Sequence, residues 1–338
     1  MRFHNLLSSR LFTNRFYELK LCKKAGYSLC AIEFDDQGEL WDPRQLDQTI
    51  AHIQHECKHS QGHFLESKDS SVRVGNLSCT EVLFRIIRAV KSKNNGSQCI
   101  FVGHSFGGLI IENAICKALL GAMFLNEGEE TDSPSDLVVL INPACEASMA
   151  KQFSDILRRN KVIVEMGGNT TRDGLTFPIH ISITSESDKA TKYAFPFGQF
   201  FVNLPKSYRK YDRSPDGLPS QRRLNSHTAG HIPYFHNFEV QPISNGDINK
   251  DKLEFSFNDG KCKYRIVPHK DRRNTLPFWV MQAPTDIVPN HSDIFTEGLE
   301  NMLSALLHWA MTSVEPTMLK CNADEQSVPR AGGTEYTS

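Results

Sequence analysis

Between residues 98 and 120 the hydrophobic pattern of the chain changes period with no spacer. QCIFVG (98–103) is a short apolar run of strand length, and FGGLIIENAICKALL (106–120) carries the spacing of a buried helix. The two runs meet inside the pentapeptide Gly103-His104-Ser105-Phe106-Gly107. A strand that turns into a helix this sharply has little room for side chains, so glycines on either side of the turn remove the clashes. The serine between them is forced into strained dihedrals and is presented at the C-terminal end of the strand. Any fold for this chain has to accommodate a buried strand, a tight turn and a helix returning over the sheet.

The same alternation recurs along the chain. Residues 27–34 (YSLCAIEF), 137–141 (LVVLI), 179–184 (IHISIT) and 277–282 (PFWVMQ) read as further strands, and residues 45–55, 80–91 and 294–311 as helices. Short apolar strands alternating with helices predict an α/β domain whose mostly parallel sheet is covered on both faces. Residues 56–74 are polar and read as an irregular connection. Residues 203–275 break the rhythm with Lys, Arg, Asn, Asp, Ser and Gly, and read as an insertion of loops and surface strands over the C-terminal edge of the sheet. The organisation expected is an N-terminal extension over 1–26, one domain over 27–315 with the insertion 203–275, and a disordered tail over 316–338.

Composition narrows the partners. With 338 residues the chain is long enough for a large single core, and a formal charge of −1 from 38 basic and 39 acidic side chains gives no electrostatic case for nucleic acid. No run of 18 apolar residues is present, so no membrane-spanning helix is expected. Nine scattered cysteines without a C-x-x-C pair read as free thiols, with Cys99, Cys116 and Cys145 in apolar, core-like surroundings. That usage fits a cytoplasmic protein; the basic N-terminus, nearly free of acids over residues 1–20, is the one feature that fits organelle targeting instead.

The strand–G-x-S-x-G–helix context points to a nucleophilic serine at Ser105, with the Phe106 N–H as an oxyanion donor at the positive end of the helix. A serine nucleophile needs a base, and the base needs an orienting acid, each placed after a later strand. Asp188 follows the strand at 179–184 and His291 follows the strand at 277–282. Alternatives are Glu186 or Asp286 as the acid and His308 as the base, although His308 falls mid-helix and reads as packed on the sheet. His104, beside the nucleophile, reads as a packing or pocket-wall residue. This chemistry requires no metal and no cofactor.

These stretches resemble α/β-hydrolases of the microbial serine esterase or lipase type. The matching segments are AIEFDDQGELWDPRQL (31–46), RVGNLSCTEVLFRI (73–86), FVGHSFGGLIIENAI (101–115), LINPACEA (140–147), ITSESDKATKYAFPFG (183–198), HTAGHIPYFHNF (227–238) and FWVMQAPTDIVPNHSDIF (278–295). The resemblance implies a Ser105–His291–Asp188 triad acting on a small or lipid-like acyl substrate. It also exposes a departure. Family members carry an inner strand ending in a His-Gly-Trp-type turn before the R-V-G-N stretch, and that turn supplies the second oxyanion donor. Here residues 53–63 run almost directly into residues 70–76, with Lys58-His59 and Gly62-His63 as the only candidates for a remnant of that turn. The expected sheet is therefore one or two inner strands short. The alternative function is a catalytically impaired relative that serves as a binding or scaffold protein.

Other clusters read as ordinary surface or core. His52, His55, Cys57, His59 and His63 read as a solvated His-rich loop in preference to a zinc site. Glu33, Asp35 and Asp36 close a strand. Tyr193, Phe195, Phe197, Phe200 and Phe201 read as core packing, with an acyl pocket as the alternative. The basic stretches Lys206, Arg209, Lys210, Arg213 and Arg222-Arg223 read as solvated loops.

Overall fold

A computed structural model describes residues 28–33, 64–93, 98–119, 130–132, 135–165, 169, 171–172, 175–203, 206, 218–244, 248, 252–269, 276–310 and 318–320. The strands are β1 (Ser28–Glu33), β2 (Cys99–His104), β3 (Glu130–Asp132), β4 (Leu137–Ile141), β5 (Ile163–Glu165), β6 (Thr171–Arg172), β7 (Leu175–Thr176), β8 (His180–Ser185), β9 (Phe238–Pro242), β10 (Glu254–Phe257), β11 (Cys262–Pro268), β12 (Phe278–Ala283) and β13 (Met318–Lys320). The helices are α1 (Phe64–Val74), α2 (Thr80–Lys93), α3 (Phe106–Ile111, continued by a wide turn over Glu112–Cys116), α4 (Ala147–Arg159), α5 (Phe195–Asn203), α6 (Gln221–Ser226) and α7 (Glu297–Ala310).

The central sheet has five strands in the order β1-β2-β4-β8-β12. β2, β4, β8 and β12 are mutually parallel. Every residue of β2, β4 and β8 is buried, as strands covered on both faces must be. The result is a mostly parallel α/β sheet with flanking helices. The structure adds what periodicity does not carry: β1 is antiparallel to β2, with Ser28 opposite His104 and Glu33 opposite Cys99.

The sequence rhythm misses several elements. Residues 64–74, expected to be irregular, form helix α1. Its Lys68 pairs with Glu146 at the entry to α4, which gives this polar segment a partner that its own pattern does not show. Residues 34–63, over which the sequence predicts the 45–55 helix, the His-rich loop and the shortened inner-strand region, lie outside the described residues, as do Arg209, Lys210 and Arg213. Helix α4 lies outside the helices expected from the sequence, although Ala147, Ala150, Phe153, Ser154 and Leu157 give it a buried stripe. Within the tail expected to be disordered, β13 pairs with both β3 and β5.

The insertion contributes the three-stranded sheet β10-β11-β9, which β9 joins to the main body. Asn237, just before β9, fixes the join: its backbone N–H donates to the Val280 carbonyl (3.1 Å), and its side chain accepts from the Val280 N–H (2.7 Å). Phe238 stacks on Trp279 with centroids 3.8 Å apart, and Trp309 of α7 closes on Trp279 at 5.4 Å. Among the described residues no helix is long and apolar enough to cross a membrane.

Candidate active site

The turn between β2 and α3 places Ser105 at φ 54° and ψ −122°, a left-handed φ that a residue with a Cβ adopts only when its surroundings hold it there. The Ser105 N–H donates to the Ile141 carbonyl (3.1 Å), and its own carbonyl accepts from the N–H groups of Leu109 (3.3 Å) and Ala144 (3.0 Å). A Cβ on Gly103 would lie 2.8 Å from the Gly108 Cα and 2.9 Å from the Gly107 carbonyl oxygen, so Gly103 is glycine because the helix start crosses directly over it. Gly75 of the R-V-G-N stretch meets the same helix, 2.9 Å from the Ile110 carbonyl oxygen by the same measure. Phe106, the expected oxyanion donor, is the first residue of α3, so its N–H stands at the positive end of the helix.

Three of the residues singled out from the sequence meet here. His291 Nε2 lies 2.8 Å from Ser105 Oγ, and His291 Nδ1 lies 2.9 Å from Asp188 Oδ2. Ser105 follows β2, Asp188 follows β8 and His291 follows β12, so all three stand beyond the C-terminal ends of parallel strands, where open α/β sheets carry their sites. Asp188 is fully buried. Its Oδ1 accepts from the backbone N–H groups of Ala190 (2.9 Å) and Thr191 (3.1 Å), and its Oδ2 accepts from the Thr191 hydroxyl (2.5 Å) as well as from His291. Burial alone pushes this carboxyl up, but the hydrogen bond and charge of His291 and the Thr191 donors outweigh it and hold its pKa below the usual carboxylate value.

The alternatives are not brought to the site. Glu186 is exposed, and Asp286 is exposed and accepts from the Tyr264 hydroxyl. His308 is on the exposed face of α7 and is not packed on the sheet as expected. His104 needs a correction of a different kind. Its Nε2–H donates to the His291 carbonyl (2.6 Å) and its ring lies 4.9 Å from that of His291, so it holds His291 and is more than a packing residue. Burial and the neighbouring charge of His291 push the His104 pKa down to about 4, which keeps it a neutral donor. Of the aromatic run, Phe195 is buried as core, whereas Tyr193, Phe197 and Phe200 are exposed along the segment that follows Asp188.

The sequence pattern does not point to the residues that hold the 288–291 loop. Each carbonyl from Val288 to His291 accepts a side-chain hydrogen bond: Val288 from Ser185 Oγ (2.6 Å), Pro289 from Ser187 Oγ, Asn290 from Asn142 Nδ2 (3.2 Å), and His291 from both Asn142 Nδ2 (3.2 Å) and His104. Asn142 is fully buried at φ 46°, and its Oδ1 accepts from the Ser185 N–H (2.8 Å). The signal that located Asp188, a polar residue immediately beyond an apolar strand, applies equally to Asn142 after β4 and to Ser185 and Ser187 at the end of β8.

Among the described residues one buried group brings three ligand-type atoms within 4.8 Å of one another: Glu112, Cys116 and His180. His180 Nε2 at 2.8 Å and Cys116 Sγ at 3.3 Å both bond to Glu112 Oε2, while among the described residues the buried His180 Nδ1 has no hydrogen-bond partner. In comparisons with known proteins, no family model, no curated protein and no solved structure matches this chain.

Proposed function

We propose that this chain is a serine hydrolase of α/β-hydrolase type that cleaves a carboxylic ester or a related acyl bond. The observation that carries the reading is the unbroken hydrogen-bonded chain Ser105 Oγ to His291 Nε2, His291 Nδ1 to Asp188 Oδ2. In this reaction Ser105 Oγ attacks the acyl carbon while His291 Nε2 takes its proton. Asp188, still ionised, holds the Nδ1–H tautomer and stabilises the imidazolium that forms. The oxyanion of the tetrahedral intermediate develops toward the Phe106 N–H. His291 then returns the proton to the departing alcohol, and water, activated by the same imidazole, releases the acyl group from Ser105.

A second reading, an impaired relative acting as a binding protein, is favoured by one specific observation. β1 lies directly beside β2 and runs antiparallel to it, so its C-terminal end, Glu33, pairs with Cys99 at the opposite end of the sheet from Ser105. β1 therefore ends away from Ser105, whereas in the family that the sequence resembles the second oxyanion donor follows a strand that ends beside the serine. Loss of one such donor typically costs about 10²–10³ in kcat.

A fluorophosphonate probe separates these readings. Labelling of the protein, abolished by Ser105→Ala and strongly reduced by His291→Ala, is expected for an activated serine. Labelling that survives Ser105→Ala would place the nucleophile elsewhere. Turnover of a short p-nitrophenyl ester near the common enzyme value of about 10 s⁻¹ would dismiss the impaired reading; strong labelling with turnover about a hundredfold lower would favour it.

A further inference from the structure

The hydrogen-bonded chain does not end at Asp188. The Thr191 hydroxyl donates to Asp188 Oδ2 at 2.5 Å and lies 2.9 Å from His231 Nε2. Thr191 has a single hydroxyl proton. If Nε2 of His231 were the acceptor, that proton would turn toward the ring, and two lone-pair-bearing oxygens would face each other across 2.5 Å at an anionic centre. The contact therefore requires His231 to carry its proton on Nε2 and to donate to Thr191. Donors then converge on the carboxylate from both sides: His231 to Thr191 to Asp188, and His291 to Asp188. Each link strengthens the next because a hydroxyl that accepts a hydrogen bond becomes a better donor.

His231 is held for this role. It sits in the short turn Ala229–His231, whose Gly230 presses on Thr184 of β8 so closely that a Cβ there would lie 2.0 Å from Thr184 Oγ1. The Gly230 carbonyl is fixed by His236 Nε2 (2.9 Å) and Gln282 Nε2 (2.8 Å). Building on the hydrolase reading, we infer that Thr191 and His231 are positioning residues that fix the orientation and charge of Asp188, and through it the basicity of His291. The titratable groups around the chain are His104 beside His291, Lys192 on the segment that carries Thr191, and His227 and His236 beside His231.

The test is the rate of fluorophosphonate labelling of the full chain as a function of pH. Thr191→Val keeps the shape and removes the hydroxyl. Asp188 then acts undiluted on His291, so the acid limb of the profile moves to higher pH, and labelling at its plateau slows about tenfold. Thr191→Ser restores both. His231→Phe shifts the limb in the same direction with a smaller, about threefold, loss. Because His231 acts through Thr191, adding His231→Phe to Thr191→Val changes nothing further beyond about twofold. An unmoved acid limb in Thr191→Val, or a His231→Phe effect equally large in both backgrounds, overturns the inference. The downfield Nδ1–H proton resonance of His291 provides a measurement independent of catalysis: it shifts in Thr191→Val and His231→Phe if the chain is real, and stays in place if it is not. Absence of labelling in the unmutated chain defeats the hydrolase reading, while the resonance still decides this one.

Discussion

Replacing Asn142 with alanine probes how firmly the base loop is held. The side chain makes three contacts inside a fully buried site: Oδ1 accepts from the Ser185 N–H, and Nδ2 donates to the carbonyls of Asn290 and His291. His291 keeps its bond from His104, but the buried Ser185 N–H loses its side-chain acceptor and the Asn290 carbonyl its side-chain donor. The first loss costs about 1–3 kcal/mol, and the second little, because Asn290 is exposed and its carbonyl can turn to water. Alanine at φ 46° adds about 1 kcal/mol, because Asn tolerates the left-handed region and alanine does not. The expected destabilisation is thus about 2–4 kcal/mol, read by urea unfolding. Asn142→Gly recovers the backbone part, about 1 kcal/mol, and none of the hydrogen bonds. Among the molecules that remain folded, fluorophosphonate labelling of Ser105 slows in both variants because His291 is no longer clamped. Unfolding of Asn142→Ala within about 0.5 kcal/mol of the unmutated chain, the range of an ordinary surface change, would refute the reasoning.

Two further substitutions test neighbouring features. Gly230→Ala would place a Cβ 2.4 Å from the Thr184 Cβ, so the turn carrying His231 must lift from β8; a loss of about 1–3 kcal/mol or more in urea unfolding is expected, with a matching drop in labelling. Glu112→Gln weakens the buried hydrogen bonding of the carboxylate to His180 and costs about 1–3 kcal/mol. Burial raises the Glu112 carboxyl, but His180, Cys116 and Lys117 outweigh it and leave its pKa below the ordinary value. Its stabilisation is therefore fully present above the unfolded-state pKa and is lost as pH falls through the lower folded-state pKa. The substitution should flatten that acid-side loss, and an unchanged slope in pH-dependent unfolding would contradict the pairing.

Much of the site was legible because its chemistry is local. Apolar runs followed by polar residues placed Ser105 and Asp188 at strand ends and His291 in the loop after β12, and parallel strands necessarily bring such ends to one edge of a sheet. The glycines of the turn were equally readable, since a sharp strand-to-helix reversal excludes side chains wherever it occurs. Four of the five central strands came from the same apolar runs to within a residue or so, and the fifth, β1, from residues 27–34.

What the sequence left open depends on contacts between distant segments. The direction of β1 against β2 is decided by register with a strand some seventy residues away, and a run of alternating side chains carries no sign of parallel or antiparallel partnership. Helix α1 is mostly polar in sequence, and the partner of its Lys68, Glu146, lies far along the chain, so no hydrophobic period betrays it. Asn142, Thr191 and His231 look like ordinary loop residues in the sequence. Only the tertiary structure brings the end of β4 under the His291 loop and the Ala229–His231 turn against Asp188, which gives those side chains something to hold. Local pattern determines which residues can do chemistry, because reactivity resides in the side chain and its turn. The fold decides which of them are oriented, because a hydrogen bond needs both of its partners in place.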